Sequence, residues 1–180
     1  VSTNPRIAAR FGDLFDVLDT DGDKAVTWDD YQRLVNRYVA GYGLEADDDR
    51  ARAIQAAYES LWRKLVDLSG DQTGGLDQDS FVGAMHAASE DRSSSNAAEA
   101  VAEAVFDLLD ADGDGRISEA EFLVYAKTLG AEEAGARTRF AHVDTDGDGD
   151  ISREEFVLSA RLYLFGDDID SPGGFVFGVV

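Results

Sequence analysis

Three stretches of this chain open with an aspartate at every second position and end on a further acid. They are Asp-Ala-Asp-Gly-Asp-Gly-Arg-Ile-Ser-Glu-Ala-Glu from Asp110, Asp-Thr-Asp-Gly-Asp-Gly-Asp-Ile-Ser-Arg-Glu-Glu from Asp144, and Asp-Thr-Asp-Gly-Asp-Lys-Ala-Val-Thr-Trp-Asp-Asp from Asp19. Alternating carboxylates, a turn residue and a terminal acid can fold into an oxygen cage for a hard divalent cation. Calcium prefers about six to eight such oxygens at about 2.3–2.6 Å.

In the stretch from Asp110, the expected side-chain ligands are Asp110, Asp112 and Asp114. Arg116 supplies its backbone carbonyl, so its charged side chain takes no part in coordination. Ser118 acts through a water, and Glu121 closes the cage with both carboxylate oxygens. The stretch from Asp144 repeats the set with Asp144, Asp146, Asp148, the Asp150 carbonyl, Ser152 and Glu155. Glycine stands at the sharp turn in both, as Gly115 and Gly149.

The stretch from Asp19 has the ligand set Asp19, Asp21, Asp23, the Ala25 carbonyl, Thr27 and Asp30, and departs twice from the other two. Lys24 replaces the turn glycine, where a left-handed backbone costs a non-glycine residue about 1–2 kcal/mol. Asp30 replaces the closing glutamate and is one methylene shorter. One-oxygen closure is then the easier outcome, which tilts this site towards magnesium.

A register links these stretches to a fourth. Aligning Asp19, Ser69, Asp110 and Asp144 puts Phe15, Leu65, Phe106 and Phe140 four residues earlier. The eighth positions are then Val26, Leu76, Ile117 and Ile151, and Tyr31, Phe81, Phe122 and Phe156 follow directly after each loop. The chain is therefore one unit repeated four times. The second loop, Ser69–Ser80, keeps Gly74 and Leu76 but loses its first, third and closing acids. It is expected to be empty of metal and kept for pairing.

Each unit reads as helix, loop, helix. Ile7, Phe11, Leu14, Phe15 and Leu18 form an apolar stripe before the first loop, and Val101, Val105, Phe106 and Leu109 form one before the third. The apolar eighth positions should pair as short strands, Val26 with Leu76 and Ile117 with Ile151. The run Ser89–Ser95 lacks apolar periodicity and is the expected boundary between an amino-terminal pair, residues 1–90, and a carboxyl-terminal pair, residues 96–165. Asn96 with Glu99, Ser118 with Glu121 and Ser152 with Glu155 have the spacing of capping boxes. The fold class is all-α, four helix-loop-helix units in two paired lobes with short two-stranded β contacts between paired loops.

The chain carries 37 acids against 16 bases, a formal charge of -21. That field repels nucleic acid and anionic membrane surfaces and attracts divalent cations. Cysteine is absent, which excludes a disulfide framework and thiolate chemistry. No apolar run is long enough to span a bilayer, so a cytoplasmic location is expected. His86 and His142 have no nucleophile or metal-ligand spacing nearby, and no enzymatic activity is expected.

The four loops, with Ser69–Ser80 degenerate, resemble EF-hand proteins of the calerythrin and sarcoplasmic calcium-binding type. The segment Ser159–Gly166 is similar to the end of calerythrin, and the likeness spans nearly the whole chain. It implies three calcium ions, at hands one, three and four, in a compact buffer or carrier without enzymatic activity. The chain is expected to be a monomer.

The alternative is a sensor that exposes an apolar groove to a target protein. Such grooves tend to be methionine-rich, and this chain has one methionine, Met85. The tail after Phe165 is acidic and then apolar, ending Phe-Val-Phe-Gly-Val-Val behind Gly173 and Gly174. An apolar hexamer left exposed would be sticky, so residues 166–180 are expected to fold back on the protein about a Gly-Gly hinge. Both features favour the buffer.

Overall fold

A computed structural model describes residues 5–71, 73–91, 96–166 and 172–179. Eight helices carry the fold: α1 (Pro5–Leu18), α2 (Trp28–Gly41), α3 (Asp49–Ser69), α4 (Gln78–Ser89), α5 (Ala97–Leu109), α6 (Glu119–Thr128), α7 (Glu133–Val143) and α8 (Arg153–Phe165). Four short strands lie in the loops: β1 (Val26–Thr27), β2 (Gly75–Leu76), β3 (Arg116–Ser118) and β4 (Asp150–Ser152). A 3-10 helix, Pro172–Phe177, follows α8.

The strands pair antiparallel in the expected register, Val26 opposite Leu76 and Ile117 opposite Ile151. All four residues are buried. A β-branched or leucine side chain at this position fixes the pairing because a one-residue slip would turn it to solvent. The second loop, whatever its metal content, thus holds the first in place.

Polar side chains set where the helices start. Asp48 accepts from Arg50 N at 2.8 Å and Asp77 from Ser80 N at 2.9 Å. Asn96 accepts from Ala98 N at 2.9 Å and Glu99 N at 3.3 Å. Glu99 does not complete a capping box there. Its carboxylate is paired with Arg161 of α8, at 2.8 and 3.0 Å. An ion pair to a neighbouring helix has won over the local bond.

The core is built by crossing each pair's aromatics. Phe15, entering the first loop, meets Phe81, leaving the second, edge to face at 5.7 Å. Phe106 meets Phe156 and Phe122 meets Phe140 in the same way, also at 5.7 Å. Tyr31 lies against Trp62 of α3. The two pairs are not separate globules: α3 packs along α5 and α2 along α6, and one continuous core runs through both. The rings of Tyr38 and Tyr125 stack across the junction at 5.7 Å. Their hydroxyls lie 3.3 Å apart, and Tyr58 is 3.3 Å from Tyr38 on its other side.

α1 also reaches the far end of the chain. The buried Arg10 guanidinium donates to the carbonyls of Tyr163 and Gly166, the terminal acceptors of α8. A cation at a helix carboxyl end satisfies carbonyls that no further turn can reach.

The 3-10 helix lies on α8, α5 and α7, with Phe175, Val176 and Phe177 buried. Tyr125 donates to the Phe175 carbonyl at 2.5 Å and Tyr58 to that of Val176 at 3.4 Å. Gly173 and Gly174 serve close approach here. A Cβ on Gly173 would fall 2.0 Å from the Ser159 carbonyl oxygen, and one on Gly174 would fall 2.7 Å from the Tyr163 ring. The expected tail includes residues 167–171 and 180, and the expected boundary includes residues 92–95; both sets lie outside the described residues. No helix among the described residues is long and apolar enough to cross a membrane.

Candidate metal centres

Each loop is a scaffold of backbone N–H groups wrapped around its first carboxylate. Asp110 accepts from Asp114 N and Gly115 N, both at 3.0 Å. Asp144 accepts from Gly147 N at 2.8 Å, Asp148 N at 3.2 Å and Gly149 N at 3.0 Å. Asp19 accepts from Asp23 N at 3.1 Å and Lys24 N at 3.0 Å. Lys24 therefore makes the bond that the turn glycines make elsewhere. It does so at φ 69, against 85 for Gly115 and 94 for Gly149. No other described non-glycine residue has a positive φ.

The fifth-position aspartates bind the next backbone link. Asp23 accepts from Ala25 N, Asp114 from Arg116 N and Asp148 from Asp150 N, at 2.9, 2.9 and 3.0 Å. Thr27, Ser118 and Ser152 stand at the N-caps of α2, α6 and α8. Each hydroxyl donates to its closing acid, at 2.9, 2.7 and 2.8 Å.

The closing acids divide the loops. Glu121 accepts from Ser118 N with one oxygen and from Ala111 N with the other, at 2.8 and 2.9 Å. Glu155 accepts from Ser152 N at 2.9 Å and, with its other oxygen, from Thr145 N and Oγ1 at 2.8 Å each. Each glutamate thereby ties the end of its loop to the beginning. Partial burial works against ionising Glu155, but its bonds from Ser152 and Thr145 outweigh that and lower the carboxyl to about 2. Burial likewise opposes ionisation of Glu121, and bonds from Ser118, Ala111 and Asp112 bring its pKa below the ordinary range.

Asp30 does not span its loop. One oxygen accepts from Thr27 N at 2.7 Å, and the other pairs with Arg33 of α2. Arg33 also reaches Asp21 at 3.1 Å. Spacing could have exposed this contact, since Arg33 follows Asp30 by three residues on one helix.

Carboxylate oxygens converge in three places. Asp19, Asp21 and Asp23 bring one oxygen each within 4.8 Å of one another, as do Asp110, Asp112 and Glu121, and Asp144, Asp146 and Glu155. Asp30, Asp114 and Asp148 lie outside these groupings. Among the described residues no such group forms in the second loop. There Ser69 Oγ donates to Val66 O at 2.8 Å, and Asp77 is engaged as a helix cap. Oxygen-only donors gathered this closely fit a hard divalent cation and no soft metal.

The Arg116 side chain bridges two loops. It donates to Asp148 at 2.6 Å and lies 3.6 Å from Asp150. The hydrogen bond from Arg116, with that from Asp150 N, keeps the Asp148 pKa low. The strand register places Arg116 opposite Ser152, within reach of the loop-four acids.

Residues 98–161 match the family described as an EF-hand domain pair. The chain is similar to a Streptomyces coelicolor calcium-binding protein described in terms of prokaryotic calcium-mediated regulation. The identity is 28% and the TM-score 0.72, over 91% of this chain and 98% of that one. The chain contains an EF-hand domain pair and shares the fold of EF-hand calcium-binding proteins. It binds calcium through its EF-hands, and the calerythrin likeness holds at the level of this family. Calcium-loaded apo-aequorin from Aequorea victoria shares the fold at 20% identity and a TM-score of 0.75, covering 92% of this chain and 93% of the other. Mitrocomin from Mitrocoma cellularia, a calcium-regulated photoprotein, shares it at 21% and 0.79, covering 99% and 92%. Those two show the EF-hand architecture alone. No curated protein matches the chain.

Proposed function

We propose that this EF-hand protein is an intracellular, cytoplasmic calcium buffer or carrier with ions in loops one, three and four. It acts as a monomer built of two EF-hand pairs, residues 1–90 and 96–165, and has no enzymatic activity. The ligands are Asp19, Asp21, Asp23, Ala25, Thr27 and Asp30; Asp110, Asp112, Asp114, Arg116, Ser118 and Glu121; and Asp144, Asp146, Asp148, Asp150, Ser152 and Glu155. The second loop stays empty, and magnesium competes at the first.

The observation that carries the buffer reading is the filled interior. Phe175 and Phe177 are 1% and 2% exposed within the core, and the single methionine, Met85, is fully buried. A groove open to a target helix would show exposed, adaptable side chains.

A second reading, a calcium sensor, is favoured by the regulatory description of the Streptomyces coelicolor relative. In that case the tail is the element a target would displace. Calorimetric calcium titration with and without physiological magnesium tests both. Three sites near 10⁻⁹–10⁻⁸ M, about the buffer range, support the first reading, and sites at about 10⁻⁷–10⁻⁵ M support the second. A stoichiometry of four rules out an empty second loop.

A further inference from the structure

Arg33 belongs to no motif, yet it touches two acids of the first loop. Asp30 has given one oxygen to Thr27, so a single oxygen is left for a metal ion. The Arg33 guanidinium holds that oxygen and the Asp21 carboxylate together. It is therefore a cation already in contact with two members of the ligand set. One guanidinium nitrogen, Nη2, makes both contacts, so a single cationic centre sits between the two carboxylates.

We propose that Arg33 sets the affinity of the first site, as a tethered cation that an incoming divalent ion must displace from Asp21 and Asp30. This rests on the reading that loop one takes an ion. A divalent ion and a guanidinium cannot both contact the same two carboxylates without close repulsion between them. Ion entry is then an exchange of one cation for another.

The surroundings allow the exchange to reverse. The Asp30 side chain is 2% exposed, so the pair is anchored on its inner side. The Arg33 side chain is 44% exposed and can swing into water. Arginine keeps its charge at any physiological pH, so the competition does not switch off as pH changes. The closing acids of loops three and four carry no equivalent guanidinium among the described residues. These glutamates are bonded by N–H and hydroxyl groups of their own loops, and Arg116 contacts Asp148 while sparing both glutamates.

The first loop carries its own reporter. Trp28 is its tenth residue, while loops three and four contain no aromatic residue. Terbium, a trivalent ion that favours oxygen ligands as calcium does, luminesces when an adjacent tryptophan is excited. The test is terbium titration of the full chain, with calcium competition, for the original protein, Arg33→Gln and Arg37→Gln. Cooperative melting in excess chelator confirms that each variant folds.

Arg33→Gln should tighten the Trp28-sensitised site by about threefold to fivefold, the upper part of the scale of a half-exposed ion pair. It should also enlarge the rise in melting temperature that calcium produces. Arg37→Gln removes the same charge one turn further along α2 and should change affinity less than twofold. The proposal is overturned if Arg33→Gln leaves the affinity unchanged or weakens it, or if Arg37→Gln gives an equal gain. The first result would make Arg33 a structural ion pair, and the second would reduce the effect to net charge. If neither the original protein nor Arg33→Gln shows a sensitised signal, loop one takes no ion, and the three-site reading fails together with this proposal.

Discussion

The first and fourth loops open with the same five residues, Asp-Thr-Asp-Gly-Asp, and then diverge. In loop four the second-position Thr145 donates twice to Glu155, so the last residue grips the first turn. In loop one the equivalent Thr20 N donates to Leu18 O, and Asp30 turns back to Thr27 and Arg33. One methylene separates the two arrangements. The glutamate is long enough to cross the loop and leave its charge facing the cage. The aspartate stops short and is neutralised by an arginine on its own helix. Identical openings therefore do not make equivalent sites; the closing residue and its neighbours decide.

Calcium removal should have the largest effect, and an uneven one. In loops three and four the gathered carboxylates have no guanidinium on their closing acid, so they repel once the ion leaves. Ligand at a thousand times its dissociation constant adds about 4 kcal/mol per site. Chelator should therefore lower the melting temperature and reduce helical signal, chiefly from α5–α8. A melt insensitive to chelator would break the comparison at its root.

Removing the tail comes next. Phe175, Val176 and Phe177 pack mainly on α5, α7 and α8, so the tail should stabilise the carboxyl-terminal pair more than the first. Full burial of one such side chain contributes about 1.5–3 kcal/mol. Deleting residues 171–180 should cost several such contributions and raise binding of an apolar dye in the calcium-loaded state. Dye binding equal to that of the intact protein would mean that the vacated surface closes on itself, and the sensor reading would lose its groove.

Single closing-residue changes are smaller and more local. Glu121→Gln and Glu155→Gln keep the side-chain length but remove the charge and one acceptor oxygen. Each should lower calcium stoichiometry from three to two by calorimetry. Asp30→Glu goes the other way: the longer side chain can reach Thr20, as Glu155 reaches Thr145. It should shift the first site from magnesium towards calcium. If the calcium-to-magnesium ratio there does not move, side-chain length is not what separates the loops.

Much of this was legible in the sequence because it is local and periodic. The apolar eighth position fixed both strand registers, and the aromatic after each loop marked the core. The caps at Ser118 and Ser152 followed from spacing. What escaped depends on partners distant in sequence or on competition between partners. The fusion of both pairs through Tyr38, Tyr58 and Tyr125 joins residues from α2, α3 and α6. Arg10 capping α8 spans almost the whole chain. Glu99 had a local bond within reach and an ion pair available on α8, and no spacing rule ranks the two. Arg116 was read only for its carbonyl, although its side chain bridges the third and fourth loops. Gly173 and Gly174 read as a hinge, when close contact with α8 is what requires them.

The smallest expected effect is at Lys24, and it isolates the turn from the closure. Lys24 adopts the left-handed φ of 69 and still donates to Asp19, so the loop tolerates the strain without losing its bond. That conformation costs a lysine about 1–2 kcal/mol relative to glycine. Glycine, however, leaves the unfolded chain freer, which offsets about 0.4–1 kcal/mol of the gain. Lys24→Gly should thus stabilise the protein by no more than about 1.6 kcal/mol net. Because the turn shapes the whole loop, the benefit should appear with calcium, with magnesium and in chelator alike. Asp30→Glu should instead separate calcium from magnesium. Thermal melts of Lys24→Gly in the three conditions make the distinction. A gain confined to the calcium-loaded protein would show that the sixth position governs selectivity as well as strain, and the division between turn and closing residue would have to be redrawn.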